Sequence, residues 1–374
     1  MPGTLAQVLP AVSRSLGVPL SASLDAIAAD SADSTQLPEI PNADAVVVCL
    51  IDGLGWHQLL EFAAVAPALD VHRGTWLDSV FPTTTAAALA SLGTGLAPGG
   101  HGLVGATFRL PETGSILHPL HWESDPLPAM VQPEPTMFQM LMAAGVHATT
   151  VAPAAYERSG LTQAALRGPQ YRSAESVDDR IRAVRDAVRR PGKSVTYVYW
   201  PDLDRLGHRH GVGSEAWLSG LAQVDRLVTG LRCALTPRAM LLVTADHGMV
   251  NCPPKDRIVI EAHAELLADV TDIAGEPRAR HVYVTAGREG AALDRWTSVL
   301  GTRARVLSRE EIVESGILGV VEPGIDERIG DLVAVPEGTW TLASAVDRQV
   351  SALLGQHGGW TAAERAVPLL ACVP

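Results

Sequence analysis

The stretch LLVTADHGM, residues 241–249, decides how this chain folds. An apolar run from Met240 to Thr244 stops at Asp246 and His247, so a buried strand delivers a carboxylate and an imidazole to the cleft beyond its end. Burying such a charge without compensation is costly, which makes a metal the natural partner. Three other segments carry matching groups: VVVCLIDGLG (46–55) with Asp52, DLDRLGH (202–208) with Asp204 and His208, and GQHGGW (355–360) with His357. FPTTT (81–85) adds hydroxyls that can attack phosphorus.

Around this stretch, segments of four to seven β-prone apolar residues alternate with helical patterns, which argues for a mostly parallel sheet covered on both faces. The expected strands are Ala45 to Ile51, Thr75 to Val80, His147 to Val151, Ser194 to Trp200 and Met240 to Thr244. Helical patterns fall at His57 to Val65, Thr85 to Leu92, Met137 to Ala144, Val177 to Arg189 and Glu215 to Leu235. This is the α/β, doubly wound alternation, in which ligands gather beyond the carboxyl ends of the strands. Asp52, FPTTT, DLDRLGH and Asp246-His247 each follow an expected strand, so four strand ends converge on one rim.

From Cys252 to Ala345 the texture changes to short units such as HVYVTAG, AALDRWTSVL, RVLSREEIVESG and GDLVAVPEG. We read residues 1–251 and 346–374 as the catalytic core and 252–345 as a small α+β insertion or cap. The loop from Gly114 to Pro135, rich in Pro, His and acidic residues, is expected at the substrate rim.

The bulk numbers bound the partners. At 374 residues with 47% hydrophobic and 19% charged content, the chain can bury a large core. Its formal charge of −12 repels polyanions and argues against nucleic acid polymers and anionic membranes. Bound divalent cations reverse that sign locally and admit a small phosphorylated substrate. The four cysteines, Cys49, Cys233, Cys252 and Cys372, lack CxxC spacing and read as reduced thiols. No basic leader precedes an apolar core at the N-terminus, and no run reaches the ~18 apolar residues of a membrane span. The expected location is cytoplasmic.

A two-metal phosphoryl-transfer site places its cations roughly 3.5 to 4 Å apart, one activating the nucleophile and one stabilising the leaving oxygen. Asp204, His208 and His357 suit one cation; Asp52, Asp246, His247 and a threonine oxygen suit the other. Mixed imidazole and carboxylate ligands favour zinc, with manganese or iron compatible with the same set. Taken singly, each residue has a plain structural reading. Asp52 after a strand is usually a helix N-cap, Asp204 and His208 four apart also fit a solvated helix face, and His357 between glycines fits a loop. Three threonines before an Ala-rich helix place hydroxyls and free N–H groups where a phosphate binds, although one of them is accounted for as an N-cap.

In their order along the chain, LIDGLG, FPTTT with SLGTGLAPGGHGLVG, DLDRLGH with the following His210-Gly211, TADHGM and QHGG resemble the alkaline phosphatase superfamily, most closely its nucleotide pyrophosphatase/phosphodiesterase branch. The resemblance covers Ala45 to Asn251 and the region of His357. It implies an alkaline phosphatase-like fold, two divalent cations and a covalent phosphothreonine on Thr85, with Thr84 the fallback. It also implies Asp204, His208 and His357 on one metal and Asp52, Asp246 and His247 with Thr85 on the other. Asp202 competes with Asp204, but the family's Asp stands four residues before its His. His210, His101 and His57 match no ligand position. Two departures bear on substrate: Ala86 to Ala88 follow Thr85 where nucleotide-handling members have Phe-Pro-Asn, and GLVGATF has Ala106 where they carry a phosphate-holding Asn. Either Thr107 or Arg109 replaces that donor, or the substrate differs.

The expected activity is therefore a two-metal hydrolase of phosphodiester or pyrophosphate bonds in small substrates, with nucleotides one candidate class that the two departures leave open. Phosphomonoesterase, phosphonate hydrolase and cofactor-independent mutase are alternatives on the same scaffold, as is a non-catalytic metal- or nucleotide-binding protein. A mutase would present serine at Thr85, and a sulfatase would need a C-x-P-x-R sequence that the chain lacks.

Overall fold

Strands rich in Val, Leu and Ile on both faces need cover on both faces. The structure, a computed structural model that describes residues 3–18, 40–71, 74–123 and 125–372, supplies that cover. In chain order the principal strands are β1 (Ala45–Ile51), β2 (Thr75–Asp78), β3 (His147–Ala152), β4 (Gln170–Ser173), β5 (Ser194–Trp200), β6 (Ala239–Thr244), β7 (Val270–Glu276), β8 (Ala279–Val284), β9 (Ala304–Ser308), β10 (Leu332–Pro336) and β11 (Ala366–Cys372). The helices that matter for the site are α1 (Trp56–Glu61), α2 (Thr85–Thr94), α3 (Met137–Ala143), α4 (Val177–Val188), α5 (Asp202–His210) and α6 (Glu215–Ala234).

Seven strands form the main sheet in the order β2-β11-β6-β1-β5-β3-β4. Its pairings are parallel except those of β11, which runs antiparallel to both β2 and β6. The architecture is the mixed α/β sheet flanked by helices that the alternation predicts. β1 lies at the middle, with every residue buried, and its register aligns Ile51 with Trp200 and Leu50 with Thr244. The carboxyl ends of β5, β1 and β6 are therefore level with one another, and the residues just past each strand emerge at one rim.

The differences from the expected elements have local causes. β2 ends at Asp78 rather than Val80, because the Ser79 N–H turns to Arg365 O at 2.7 Å and its hydroxyl to Asp246 O. FPTTT thus enters α2 from a loop and not straight from a strand. The pattern from His57 to Val65 divides into α1 and a separate 3-10 turn at Ala63–Val65. β4 was not expected, since QYRS is a short, largely exposed edge. Nor was β11, whose Pro368 lacks an N–H and speaks against a strand inside a sheet.

Residues 270–336 contain a second, antiparallel sheet in the order β7-β8-β10-β9. One apolar cluster, including Leu266, Trp296, Leu300, Leu332 and Leu342, is its own. Ala279, Val333 and Val335 belong instead to the large core of the main sheet, so this unit is packed against it. The seam is polar as well: Arg278 grips Glu364 through Nε at 2.9 Å and Nη2 at 2.8 Å. Arg280 similarly grips Asp347 at 2.7 and 2.9 Å. No helix among the described residues is long and apolar enough to cross a membrane.

Candidate metal centre

Three strand ends build most of the site. Asp52 directly follows β1, and its backbone N–H is held by Trp200 O at 2.9 Å. Gly53 then turns with φ 76°, and a Cβ there would sit 3.0 Å from the Cα and Cβ of Asp204, so only glycine lets α5 approach this closely. Asp246 follows β6 and anchors the turn, since its Oδ1 accepts from Gly53 N at 3.1 Å and His247 N at 3.0 Å. Asp204 and His208 lie one turn apart on α5 with 3.3 Å between Oδ2 and Nε2.

The three threonines of FPTTT divide their tasks. Thr83 zips the loop of His357 onto the rim: its hydroxyl donates to Gly359 O at 2.8 Å and accepts from Gly358 N at 3.0 Å. Thr84 takes the N-cap position of α2 in extended conformation, and its hydroxyl bonds the carboxyl of Glu276 from β7. Thr85 opens the helix with its Oγ1 3.2 Å from His247 Nε2. Of the three, Thr85 lines the cleft.

The imidazoles share one orientation rule. His208 Nδ1 faces Gly355 O at 2.8 Å, His357 Nδ1 faces Thr83 O at 2.9 Å, and His247 Nδ1 faces Gly248 O at 3.0 Å. A carbonyl can only accept, so each ring carries a hydrogen on Nδ1 and presents Nε2 to the site as its candidate ligand atom. His208 and His357 bring those nitrogens to 3.2 Å from each other. Two ring nitrogens so close need a positive centre, a proton or a cation, between them. The His247 and His357 rings stack with centroids 3.6 Å apart and planes 13° apart, which locks the two histidines together.

The carboxylates give the same answer. Asp52 Oδ1, Asp204 Oδ1 and Asp246 Oδ2 are buried and take no hydrogen bond from any described residue. Burial, then the charges of Asp246 and Asp204, hold the Asp52 carboxyl well above the usual range, and only the Tyr199 hydroxyl eases it. Burial, then His247 and His208, push His357 well below the ordinary histidine range. Both groups are shaped for deprotonated ligation to a cation.

Two sets have ligand atoms mutually within 4.8 Å: Asp204, His208 and His357, and Asp52, Asp204 and His247. Asp246 joins the second through Oδ2, 3.4 Å from His247 Nε2, and Asp52 Oδ1 lies 3.6 Å from the same nitrogen. All seven residues singled out in the sequence, Asp52, Thr85, Asp204, His208, Asp246, His247 and His357, thus meet at one rim. Asp204 stands between the two sets, a role its spacing did not foretell. Asp202 turns away to pair with Arg205 at 3.0 Å. His101 closes on Ser91 Oγ at 2.8 Å and Leu103 N at 3.1 Å, away from the ligand sets.

A cleft of about 240 Å³ opens from this rim. Asp52 and Thr85 line it together with Leu89, Leu161, Tyr156, Tyr197 and Tyr199. Thr107 and Arg109, the suggested replacements for the missing Asn, are not among its lining. The Thr107 hydroxyl exchanges hydrogen bonds with Gly275 at 3.0 and 2.8 Å, and Arg109 pairs with Asp272 while lying over the ring of Tyr283. Sequence reading passed over Tyr199 and Glu276. The alternation of tyrosines at 197 and 199 in YVYW was the available signal for the first, whereas nothing near Glu276 marked the second.

A level row of strand ends holding paired carboxylate and imidazole sets beside a helix-opening hydroxyl defines a phosphoester-hydrolase type of centre on an alkaline phosphatase-like fold. Residues 46–360 match the family described as type I phosphodiesterase / nucleotide pyrophosphatase, and the chain belongs to that family of hydrolases. A stretch of 97 residues is 31% identical to the bis(5'-adenosyl)-triphosphatase enpp4 of Xenopus laevis, covering 24% of this chain and 21% of that relative. The match therefore spans about a fifth of the curated relative's length. Murine ectonucleotide pyrophosphatase / phosphodiesterase 5 superposes with a TM-score of 0.71 at 22% identity over 88% of each chain. An inactive variant of that protein, solved with AMP, gives 0.70 at 22% identity over 87% of each. Phosphonoacetate hydrolase from Sinorhizobium meliloti 1021, solved with phosphonoformate, gives 0.69 at 22% identity over 89% of this chain and 91% of its own. These structural likenesses show a shared fold.

Proposed function

We propose that the protein hydrolyses phosphodiester or pyrophosphate bonds in small, nucleotide-class substrates, with two zinc ions as cofactor and Thr85 as nucleophile. The observation that carries this reading is the clustering of three imidazole Nε2 atoms with three carboxylate oxygens that take no hydrogen bond, one of the imidazoles, His247, lying 3.2 Å from the hydroxyl of Thr85. Asp204, His208 and His357 would hold one ion, and Asp52, Asp246 and His247 the other. When bound, the ions supply charge neutralisation at the phosphoryl group and lower the pKa of the attacking hydroxyl.

The chain's own residues account for the remaining steps. Thr85 Oγ attacks phosphorus in line and displaces the leaving alcohol or phosphate, forming a phosphothreonine. The first-turn N–H groups of α2 point at the transferring group and stabilise its developing charge. His247 Nε2, 3.2 Å from Thr85 Oγ1, fixes where the hydroxyl oxygen stands. The apolar and tyrosine walls of the cleft take the retained organic portion, and water then cleaves the phosphothreonine. The AMP complex of the murine relative, whose inactive form carries a threonine-to-alanine change, supports both the nucleotide class and the nucleophile.

The test is turnover of bis(4-nitrophenyl) phosphate by purified protein. The expected result is activity that is lost on chelation, restored by zinc and abolished in Thr85→Ala while two equivalents of metal stay bound. Metal binding without turnover in the wild type would favour a binding scaffold. Faster release from 4-nitrophenyl phosphate than from the diester would favour a monoesterase.

A further inference from the structure

One wall of the cleft runs from the metal rim to a guanidinium. The Tyr199 hydroxyl donates to Asp52 Oδ2, the ring of Tyr156 meets that of Tyr199 edge-on with centroids 5.8 Å apart, and Arg205 Nη2 donates to Tyr156 Oη at 2.6 Å. Two aromatic rings thus separate the Asp52 carboxylate from the cation. Arg205 is the one Lys or Arg among the described residues that line this cleft, whose other charged lining groups are Asp52 and Asp204. In a chain of net charge −12, a lone cation facing an otherwise acidic or neutral cleft calls for a purpose.

We infer that Arg205, held by Tyr156, is a specificity-determining subsite for a second anionic group on the substrate, a carboxylate or a phosphate. That group is carried on the retained portion of the substrate, away from the scissile phosphorus. The inference rests on the proposed hydrolase reading and adds to it the substrate's distal chemistry. Two of the five N–H donors of Arg205 are engaged, one by Tyr156 and one by Asp202 at 3.0 Å; the rest have no partner among the described residues. Asp202 competes weakly, because both side chains of that pair are about half exposed, at 58% and 45%, and exposed ion pairs contribute little. A planar fork with free donors suits a two-oxygen anion, and the resulting charge-assisted bidentate contact is the stronger one. The Tyr156 hydroxyl keeps the fork at the cleft edge. The hydrogen bonds and ion pair of the Arg205 side chain go to Tyr156 and Asp202 and none to Thr85 or a residue of the ligand sets, so it selects substrate without taking part in bond cleavage.

Three diesters that differ only in the retained ring test this: 4-nitrophenyl phenyl phosphate, 4-carboxyphenyl 4-nitrophenyl phosphate and 4-nitrophenyl 4-phosphonophenyl phosphate. In the wild type, kcat/KM for at least one anionic ester should exceed that of the phenyl ester by about tenfold, as expected for a charge-assisted contact. The better of the two identifies the distal group as carboxylate or phosphate. Arg205→Ala should bring the ratio to about one, with Arg205→Lys and Tyr156→Phe in between, because a point charge or an untethered fork keeps only part of the contact. No preference in the wild type, or a preference that survives in Arg205→Ala, overturns the inference. Calorimetry of zinc-loaded protein with phenylphosphonate, 4-carboxyphenylphosphonate and 1,4-phenylenediphosphonate separates the two readings. If none of the esters is hydrolysed, the hydrolase reading fails. A distal-anion binding preference that vanishes in Arg205→Ala would still sustain the subsite, and equal binding of the three would sink it.

Discussion

Two sets of buried charge flank residues 355–364, and they are built on opposite plans. At the seam, Glu364 takes two N–H groups of Arg278 together with Gly359 N at 2.9 Å and the Thr361 hydroxyl at 2.6 Å, so both of its oxygens are used. At the rim, Asp52, Asp204 and Asp246 each keep an oxygen without a donor, and no described Lys or Arg pairs with them. Histidines show the same contrast. His101 closes both ring nitrogens on a hydroxyl and a backbone N–H, whereas His208, His247 and His357 anchor Nδ1 on a carbonyl and gather their Nε2 atoms among the rim carboxylates. Where the chain neutralises its own charge it makes structure; where it leaves charge open it makes a receptor for an outside cation.

The largest effect expected at the rim is catalytic. Thr85→Ala should lower diester turnover by about 10⁴-fold, the scale seen when an activated nucleophile is removed, while elemental analysis still finds both metals. At the seam the corresponding effect is on stability. Glu364→Ala leaves Arg278 buried and unpaired and should cost about 3–5 kcal/mol in urea unfolding. The double change Arg278→Met with Glu364→Leu should restore most of that, and a double variant as unstable as the single one would break the comparison.

Removing charge at the rim should act in the other direction. Asp52→Asn relieves an uncompensated carboxyl and should stabilise the chelated protein by about 1–3 kcal/mol. The same variant should gain less from added zinc than the wild type, which differential scanning calorimetry with and without metal will read. Equal destabilisation in both states would show that Asp52 is a structural partner like Glu364.

The smallest effect is a pH slope from the closed histidine. Burial pushes His101 from 6.5 down to about 3, so between those values the unfolded chain binds a proton that the native state refuses. Its contribution is intact above pH 6.5 and is lost as pH falls toward 3, at no more than about 1.4 kcal/mol per pH unit. Urea midpoints at pH 4.5 and 7 should converge in His101→Gln relative to wild type.

Much of this architecture is legible in the sequence. β1 and β5 fall at their expected bounds because parallel strands buried on both faces leave unbroken apolar runs. Asp52, Asp246 and His247 are identifiable because each comes directly after such a run with a group that is costly to bury, whereas Thr85, Asp204, His208 and His357 stand out through the ordered motifs that resemble the family. The elements that escaped notice obey neither rule. β11 is reversed and contains Pro368, β4 is a polar edge, and Tyr199 carries its function on a residue type that strands use anyway. Glu276 approaches His357 to 3.7 Å from a separate sheet, and no local pattern announces a contact made across a seam. Arg205, lying between Asp204 and His208, passes for a solvated helix residue until the cleft is seen.

The reversed strand also sets an order of assembly. β2 and β6 are both synthesised well before β11, yet β11 lies between them. Before β11 is made no strand joins β2 to β6, so the segment that brings His357 to 3.2 Å from His208 is fixed to the sheet on its carboxyl side only once β11 has inserted. A chain cut before residue 357 would keep Asp52, Asp246 and His247 but lack one member of the Asp204, His208 and His357 set, so the two ligand sets are completed by a segment fastened in place from its far side.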